Sequence, residues 1–409
     1  MKNKQSRGIR IRLSLTEIFY NGCFASANFL SVFLQSLGIG AGQIGIVTSL
    51  TNVMNIVSQP VWGVLSDRIR SVRKCFMLSI ILSALCVLFV PMLSVAGAMV
   101  PMMALLVLQY FFLTPANMLM ELWLVKVNNT PELGISYGSI RIWASLGFAL
   151  MNLAYVPILK VAPMRSVYYF YVVFAVLAVL VALRMPVGTE PDERAGERGR
   201  FRDMPFGRIL TYWIVSYLLF EVIFQVAFSW RNSYMVYAVN EFGIASERYG
   251  AFLFISGIFE IPMLLMCSRL IKKLGLAVPL LLSSVMLAME FALYAFGTGL
   301  PALLVSQVFK GFGYALYVAC RHQYVERLAP EGLKGSTLAM VNAAYAGVNI
   351  IAAMFGGFIL EGIGTRSFFA MITLIQVSAA VFLVLSQVFG MKVLGKVLPM
   401  ENRIWRVKK

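Results

Sequence analysis

The sequence predicts an all-α polytopic membrane protein with twelve transmembrane helices in two bundles of six. Three observations predict it. Apolar runs of about 20 residues recur along the whole chain, the length a helix needs to cross a hydrocarbon core of about 30 Å. Basic residues gather in alternate gaps between the runs, as membrane orientation requires. One hydrophilic segment near the midpoint leaves six runs on either side. With 60% hydrophobic residues, 13% charged residues and a mean hydropathy of +0.80, the 409-residue chain has too little polar surface for a soluble domain of this size. The runs also leave no stretch long enough to house chemistry in a separate soluble domain.

In chain order the runs fall at about 13–36, 42–64, 75–95, 98–124, 137–159, 166–184, 209–235, 246–267, 276–297, 301–325, 335–360 and 367–390. MKNKQSRGIRIRL leads into the first without a small-residue cleavage site after a short apolar core, so it reads as a tail plus an uncleaved helix. That tail carries Lys2, Lys4, Arg7, Arg10 and Arg12, and the other end carries Lys392, Lys396, Arg403, Arg406, Lys408 and Lys409. An even number of spans with two basic tails places both termini in the cytoplasm, in a cell inner or plasma membrane.

The loops agree with that topology. Arg68 to Lys74, Lys126, the segment after Arg184, the Arg269, Lys272 and Lys273 cluster, Arg327 and Lys334 all fall on the cytoplasmic side, while the outer loops 36–43 and 93–99 carry no charge. Lys160, Arg165, Arg231, Arg248 and Arg366 are the minority near the outer side. The net charge of +17 therefore follows from orientation and does not call for a nucleic-acid partner. The expected partners are a small-molecule solute and the lipid bilayer, with a monomer as the working unit.

Between spans six and seven, RMPVGTEPDERAGERGRFRDMPFGR is rich in Gly, Pro and opposite charges and cannot bury enough apolar area to fold alone. It divides the chain into an amino-terminal bundle with its tail (1–184), a cytoplasmic linker (185–208) and a carboxy-terminal bundle with its tail (209–409). The loop GVLSDRIRSVRK after span two is echoed by CSRLIKKLGL after span eight, its counterpart in the second half. Two parallel bundles of this kind rock about a central site in transporters. Gly138, Gly147, Gly347, Gly356 and Gly357 suit close helix approach, and Pro60, Pro115 and Pro262 suit kinks.

Several reaction classes lack their residues. Cys23, Cys75, Cys86, Cys267 and Cys320 have no metal-ligand spacing and read as buried free thiols, and His322, the one histidine, makes no metal site alone. No GxxxxGK[ST] pattern is present for an ATP-driven pump. The reading is therefore of a non-enzyme without metal or organic cofactor, with the proton as coupling ion.

Ionisable groups inside the spans carry the most information, because each costs roughly 2.5 to 3.5 kcal/mol at a helix centre unless it meets a partner or water. Glu121 in span four and Arg141 in span five sit at similar depth on antiparallel neighbours; they form either a structural pair or a grip on a polar solute. Glu260 in span eight and Lys310 in span ten form a candidate proton-coupling pair, with Glu221 and Glu290 as further proton carriers. A contact that is made and broken between Glu260 and Lys310 would take up and release a proton. Asn117, Gln225, Trp143 and Phe148 offer amides and rings for recognising a solute. Glu17 reads as a boundary residue, either paired with Arg12 or another cytoplasmic cation or carrying protons, His322 as a gate or structural hydrogen bond, and Trp213 and Trp230 as members of an aromatic belt.

QPVWGVLSDRIRSVRK resembles the G-x-L-[AS]-D-[RK] loop of the major facilitator superfamily, with Gly63, Leu65, Ser66, Asp67 and Arg68 matching directly and Arg70 standing where a second Gly is usual. The resemblance implies the major facilitator fold. It also implies that Gly63, Asp67, Arg68 and Arg73 belong to a gate that locks the inward side closed in the outward-facing state. YGSIRIWASLGFAL and ELWLVKV are similar to the branch that contains lactose permease, nucleoside permeases and phenylpropionate permease-like proteins. In lactose permease the equivalent acid and arginine bind sugar, so the resemblance gives Glu121 and Arg141 that expectation, and Phe148 falls where that permease has a stacking Trp. In QVFKGFGYALY, Lys310 replaces a proton-coupling His, Gly313 stands for a nearby acid, and Tyr345 for a lysine in span eleven, so the proton circuit does not carry over whole. The resemblance implies a sugar or nucleoside symporter working by alternating access. A proton-coupled exporter or an uncoupled facilitator of another small organic molecule is the alternative, and a membrane enzyme or structural protein fits less well.

Overall fold

A computed structural model describes residues 2–69, 71–128, 137–185, 209–330 and 333–392. All but Met185 of the expected 185–208 linker, and the tail beyond 392, lie outside the described residues, as do the side chains of Asp67, Lys126 and Arg141. The chain divides into two compact units, residues 1–198 and 199–409.

The first unit contains α1 (Lys2–Ala27), α2 (Leu30–Ser36), α3 (Ala41–Ile69), α4 (Val72–Leu88), α5 (Val90–Val95), α6 (Met99–Asn128), α7 (Tyr137–Val161) and α8 (Ser166–Leu183). The second contains α9 (Tyr212–Glu241), a 3-10 turn (Ser246–Arg248), α10 (Tyr249–Leu274), α11 (Ala277–Phe296), α12 (Gly299–Leu328), α13 (Lys334–Ile363) and α14 (Thr365–Lys392). Among the described residues, ten helical segments are long and apolar enough to cross a membrane. The α1–α2 pair and α3 are outside that set. The basic tail continues as the first turns of α1, and α3 carries Asn52, Asn55, Ser58 and Gln59, which lower the hydropathy of both.

Two spans expected to be continuous are broken. The run at 75–95 splits at Phe89, because Pro91 at the start of α5 lacks an N–H and its ring crowds the carbonyl four residues earlier. The run at 13–36 splits at Asn28–Phe29, where Phe29 N–H turns back to the Ser26 carbonyl at 3.1 Å, a tighter i to i−3 bond.

Each unit repeats the same packing. In the first, α1 packs on α7 and α8, α4 on α6 and α8, and α3 on α6; in the second, α9 packs on α13 and α14, α11 on α12 and α14, and α10 on α12. Taking the broken helices as single spans, these are the same pairings of first, second, third, fourth, fifth and sixth members. The first span of each unit also ends alike. Gly38 N–H bonds to the Gln35 carbonyl and Ile39 N–H to Leu34, while Gly243 N–H bonds to Asn240 and Ile244 N–H to Val239. Both glycines have positive φ (78° and 70°), the left-handed geometry that this helix stop requires.

Gly147 lets α7 approach α1 so closely that a Cβ there would lie 2.7 Å from the Ile18 Cα, whereas a Cβ at Gly347 meets nothing within 4 Å. Gly147→Ala is expected to cost about 1 to 3 kcal/mol, because backbone cannot yield as a side-chain tip can. Gly347→Ala should be neutral or stabilise by up to about 1 kcal/mol, the helix-propensity gain. Thermal unfolding of the purified variants in detergent measures both.

Candidate functional site

Among the described residues of the second unit, three ion pairs lie away from the helix ends. At the first, Arg231 on α9 donates through Nε to Glu290 Oε1 on α11 at 2.6 Å, and both side chains are sealed, at 3% and 0% exposed. Tyr294 O–H also donates to Glu290 Oε1 (2.9 Å), and Gln307 on α12 donates to Tyr294 Oη (2.8 Å). Glu290 Oε2 has no hydrogen-bond partner among the described residues. An ion pair this deep holds α9, α11 and α12 together, since removing either charge strands the other.

At the second, Arg321 Nε on α12 donates to Glu221 Oε1 on α9 at 2.7 Å. Tyr217 and Tyr317 donate to the two carboxylate oxygens at 2.9 and 2.5 Å, and Gln225 Nε2 donates to Tyr317 Oη at 2.5 Å. The Arg321 guanidinium also lies over the Tyr345 ring, 4.5 Å from its centre. Gln225 Oε1 and Arg321 Nη2 are buried and have no hydrogen-bond partner among the described residues.

At the third, Lys310 Nζ on α12 donates to Glu260 Oε1 on α10 at 2.6 Å and to Ser256 Oγ at 3.2 Å, and lies 4.8 Å from the centre of the Tyr314 ring. This pair is less enclosed, with side chains 12% and 23% exposed. Gly311, the residue after Lys310, permits the contact: a Cβ there would stand 2.5 Å from the Ser256 carbonyl oxygen.

Arg231 and Arg321 are the partners that the sequence reading missed. Arg231 counts there as an outer-side cation, but α9 runs on to Glu241 and leaves it well inside the helix. Arg321 lies beside His322, which is exposed with its Nε2 3.3 Å from Arg321 Nη1. The available signal was charge balance, since Glu290 and Glu221 within apolar helices each require a cation. The aromatic-belt expectation for Trp213 and Trp230 is corrected. Both are 7% exposed, Trp230 Nε1 donates to the Ala352 carbonyl, and the rings fill slots left by Gly390 and Gly356.

In the first unit, Asn117 and Glu121 lie one turn apart on α6 and are half-buried. Phe148 on α7 is half-buried, Trp143 is 36% exposed, and the Phe148 carbonyl accepts from Asn152 Nδ2 at 2.8 Å. The side chain of Arg141, also on α7, is outside the described residues, so its expected meeting with Glu121 is too. Of the gate residues, Gly63 is buried and Arg68 exposed near the end of α3, and Arg73 Nη1 donates to the Met185 carbonyl at 2.7 Å. The Asp67 side chain again lies outside the description. Glu17 is not at an exposed boundary: it is 1% exposed and accepts from Asn21 Nδ2 at 2.9 Å.

Comparison with known proteins identifies the arrangement. The pattern of the MFS_1 like family matches residues 10–371. The chain belongs to the major facilitator superfamily. It is 28% identical over 365 residues to the maltose permease of Geobacillus stearothermophilus, covering 87% of this chain and 89% of that protein. It is 24% identical over 340 residues to the uncharacterized transporter YwbF of Bacillus subtilis, covering 81% and 82%. Among solved structures, the nucleoside transporter NupG superimposes with a TM-score of 0.79 at 15% identity, over 93% of this chain and 99% of that one. A D-xylose-proton symporter superimposes with a TM-score of 0.68 at 13% identity, over 92% and 96%. These two share the fold. The chain is thus a multi-pass membrane protein and a secondary transporter of small organic solutes.

Glu290→Gln leaves the Arg231 charge buried without its partner and is expected to destabilise the protein by about 3 to 5 kcal/mol. Replacing both, in Arg231→Met with Glu290→Leu, should recover most of that loss. Denaturation midpoints of the single and double variants decide whether this pair is a structural clamp.

Proposed function

We propose that the chain is a proton-coupled symporter of a small polar solute, a sugar before a nucleoside, working by alternating access. The observation that carries this reading is the contrast between the pair at Glu260–Lys310, partly open at a 2.6 Å contact, and the sealed pair at Arg231–Glu290. A carboxylate held by a cation gives that cation up when it takes a proton, so protonation of Glu260 and release of Lys310 are one event. A pair reached by water can make this exchange in each transport cycle. A sealed pair cannot, which leaves coupling to Glu260 and Lys310 and a structural role to Glu290.

The maltose permease similarity favours a sugar, because that relative aligns over most of both chains. On this reading Glu121, Arg141, Asn117, Trp143, Phe148 and Gln225 contact the solute, and Gly63, Asp67, Arg68 and Arg73 gate the cytoplasmic side. The α1–α2 pair and α3 join the ten long apolar segments to make twelve spans, with both termini cytoplasmic and a monomer as the working unit. Bundles 1–184 and 209–409 then move about the 185–208 linker.

Uptake into proteoliposomes of labelled maltose, glucose and uridine, driven by an inside-alkaline gradient, tests the reading. Accumulation is expected for at least one solute, with collapse to simple equilibration on adding a protonophore and in Glu260→Gln. Equal uptake with and without the gradient would make the chain a facilitator, and accumulation only under an inside-acid gradient would make it an exporter.

A further inference from the structure

A groove runs along the first unit between α4 and α8, which pack against one another. Ile81, Leu85 and Leu88 line it from α4, and Val172, Val176 and Leu180 line it from α8. Their spacing of three to four residues keeps each row on one helix face. The short side chains of Ala84 and Ala175 also line it, and the volume left is about 220 Å³. Every lining residue is apolar, and five of the six in the two rows are 40% or more exposed. At 1.5 Å per residue the rows extend for about 10 to 12 Å, most of one leaflet's share of a hydrocarbon core of about 30 Å.

Cations gather where this groove approaches the end of the unit. Arg12 Nη1 on α1 donates to the Arg184 carbonyl at 2.5 Å, and Arg73 Nη1 on α4 donates to the next carbonyl, that of Met185, at 2.7 Å. These bonds occupy two carbonyls at the end of α8 and bring the start of α4 to the same level. The side chains of Lys74 and Arg184 are exposed there and have no ion pair or hydrogen bond among the described residues. Leu180, at one end of its row, lies one turn from Arg184, and Ile81 lies two turns from Lys74. Four cations held at one end of two helices repel one another and attract an anion.

The occupant must answer both features, an apolar furrow one leaflet deep and a positive cluster at its mouth. A second copy of the chain docked groove to groove about a two-fold axis along the membrane normal would set its own four cations against these. A free anion would leave the furrow unused. We propose that the groove seats an acyl chain of an anionic phospholipid, whose phosphate meets Lys74 and Arg184 beside Arg12 and Arg73. The inference needs only the membrane fold, so it stands or falls apart from the solute and its coupling.

Native mass spectrometry of the purified protein in detergent tests it, with dioleoyl phosphatidylglycerol and dioleoyl phosphatidylcholine titrated as probes. The first phosphatidylglycerol is expected to bind about tenfold or more tightly than the first phosphatidylcholine. Lys74→Gln and Arg184→Gln are each expected to weaken phosphatidylglycerol about fivefold, and together roughly 30-fold, at about 1 kcal/mol per cation. Both replacements leave the carbonyl contacts at the end of α8 in place. Val176→Trp, which fills the groove, should weaken it about tenfold, the effect of excluding some two methylenes. Val173→Trp, at a position 52% exposed on the same helix but outside the groove, should change nothing. Where Val176→Trp fails to elute as a single peak, Leu85→Trp takes its place with the same expectation. Equal affinity for the two lipids overturns the proposal, as does unchanged binding in the groove variant. Displacement of the lipid by glycerol phosphate at equal concentration makes the cluster a site for a free anion and overturns it too. Lipid-free dimers that Val176→Trp abolishes would give the groove to a second copy instead.

Discussion

A carboxylate inside a membrane must be held by a cation or a proton, and the second unit is organised by that constraint. Glu290, Glu221 and Glu260 each lie in a helix long and apolar enough to span a bilayer, and each meets a basic side chain from another helix within 2.7 Å. Because α9, α10, α11 and α12 contribute one or more of these six residues, the ion pairs also fix which helices touch. What separates the pairs is access. Arginine cannot give up its charge and binds through a rigid fork, which suits the sealed pair at Arg231 and the hydrogen-bonded pair at Arg321. Lysine, a flexible point charge, holds the more open one.

Close helix contact makes these pairs possible. Gly311 brings the backbone of α12 against α10 beside the Lys310–Glu260 contact, and Gly356 receives the Trp230 ring next to Arg231. Lipid gives helices no hydrophobic reason to associate, so small residues that admit close packing decide where polar groups meet. The common pairing order of the two units shows the same solution used twice, with similar first spans but different charge placement. The second unit has an arginine on its fourth span, Arg321, and the first has Arg141 on its fifth.

Much of this was legible in the sequence. Apolar run length and the side on which Lys and Arg gather read out the membrane class, and the loop at Gly63 to Arg68 pointed to the superfamily to which the chain belongs. Glu260 and Lys310 stood out because each interrupts a long apolar run. Arg231 and Arg321 did not, because a cation near a span end looks like an ordinary anchor until the helix length is known. The break at Phe89 was hidden for a related reason: hydropathy does not register a missing N–H at Pro91. Tyr217, Tyr294 and Tyr317 were equally silent, since a buried tyrosine reveals its role only when the acceptor of its hydroxyl is seen.

The central claim is that protons cross with the solute through the Glu260–Lys310 contact. Solute-induced proton movement in weakly buffered proteoliposomes, followed with an external pH electrode and no imposed gradient, tests it most directly. Adding the transported solute outside is predicted to make the medium alkaline in the wild type and to leave it unchanged in Glu260→Gln, while that variant still exchanges solute. Equal alkalinisation by wild type and variant would contradict the account.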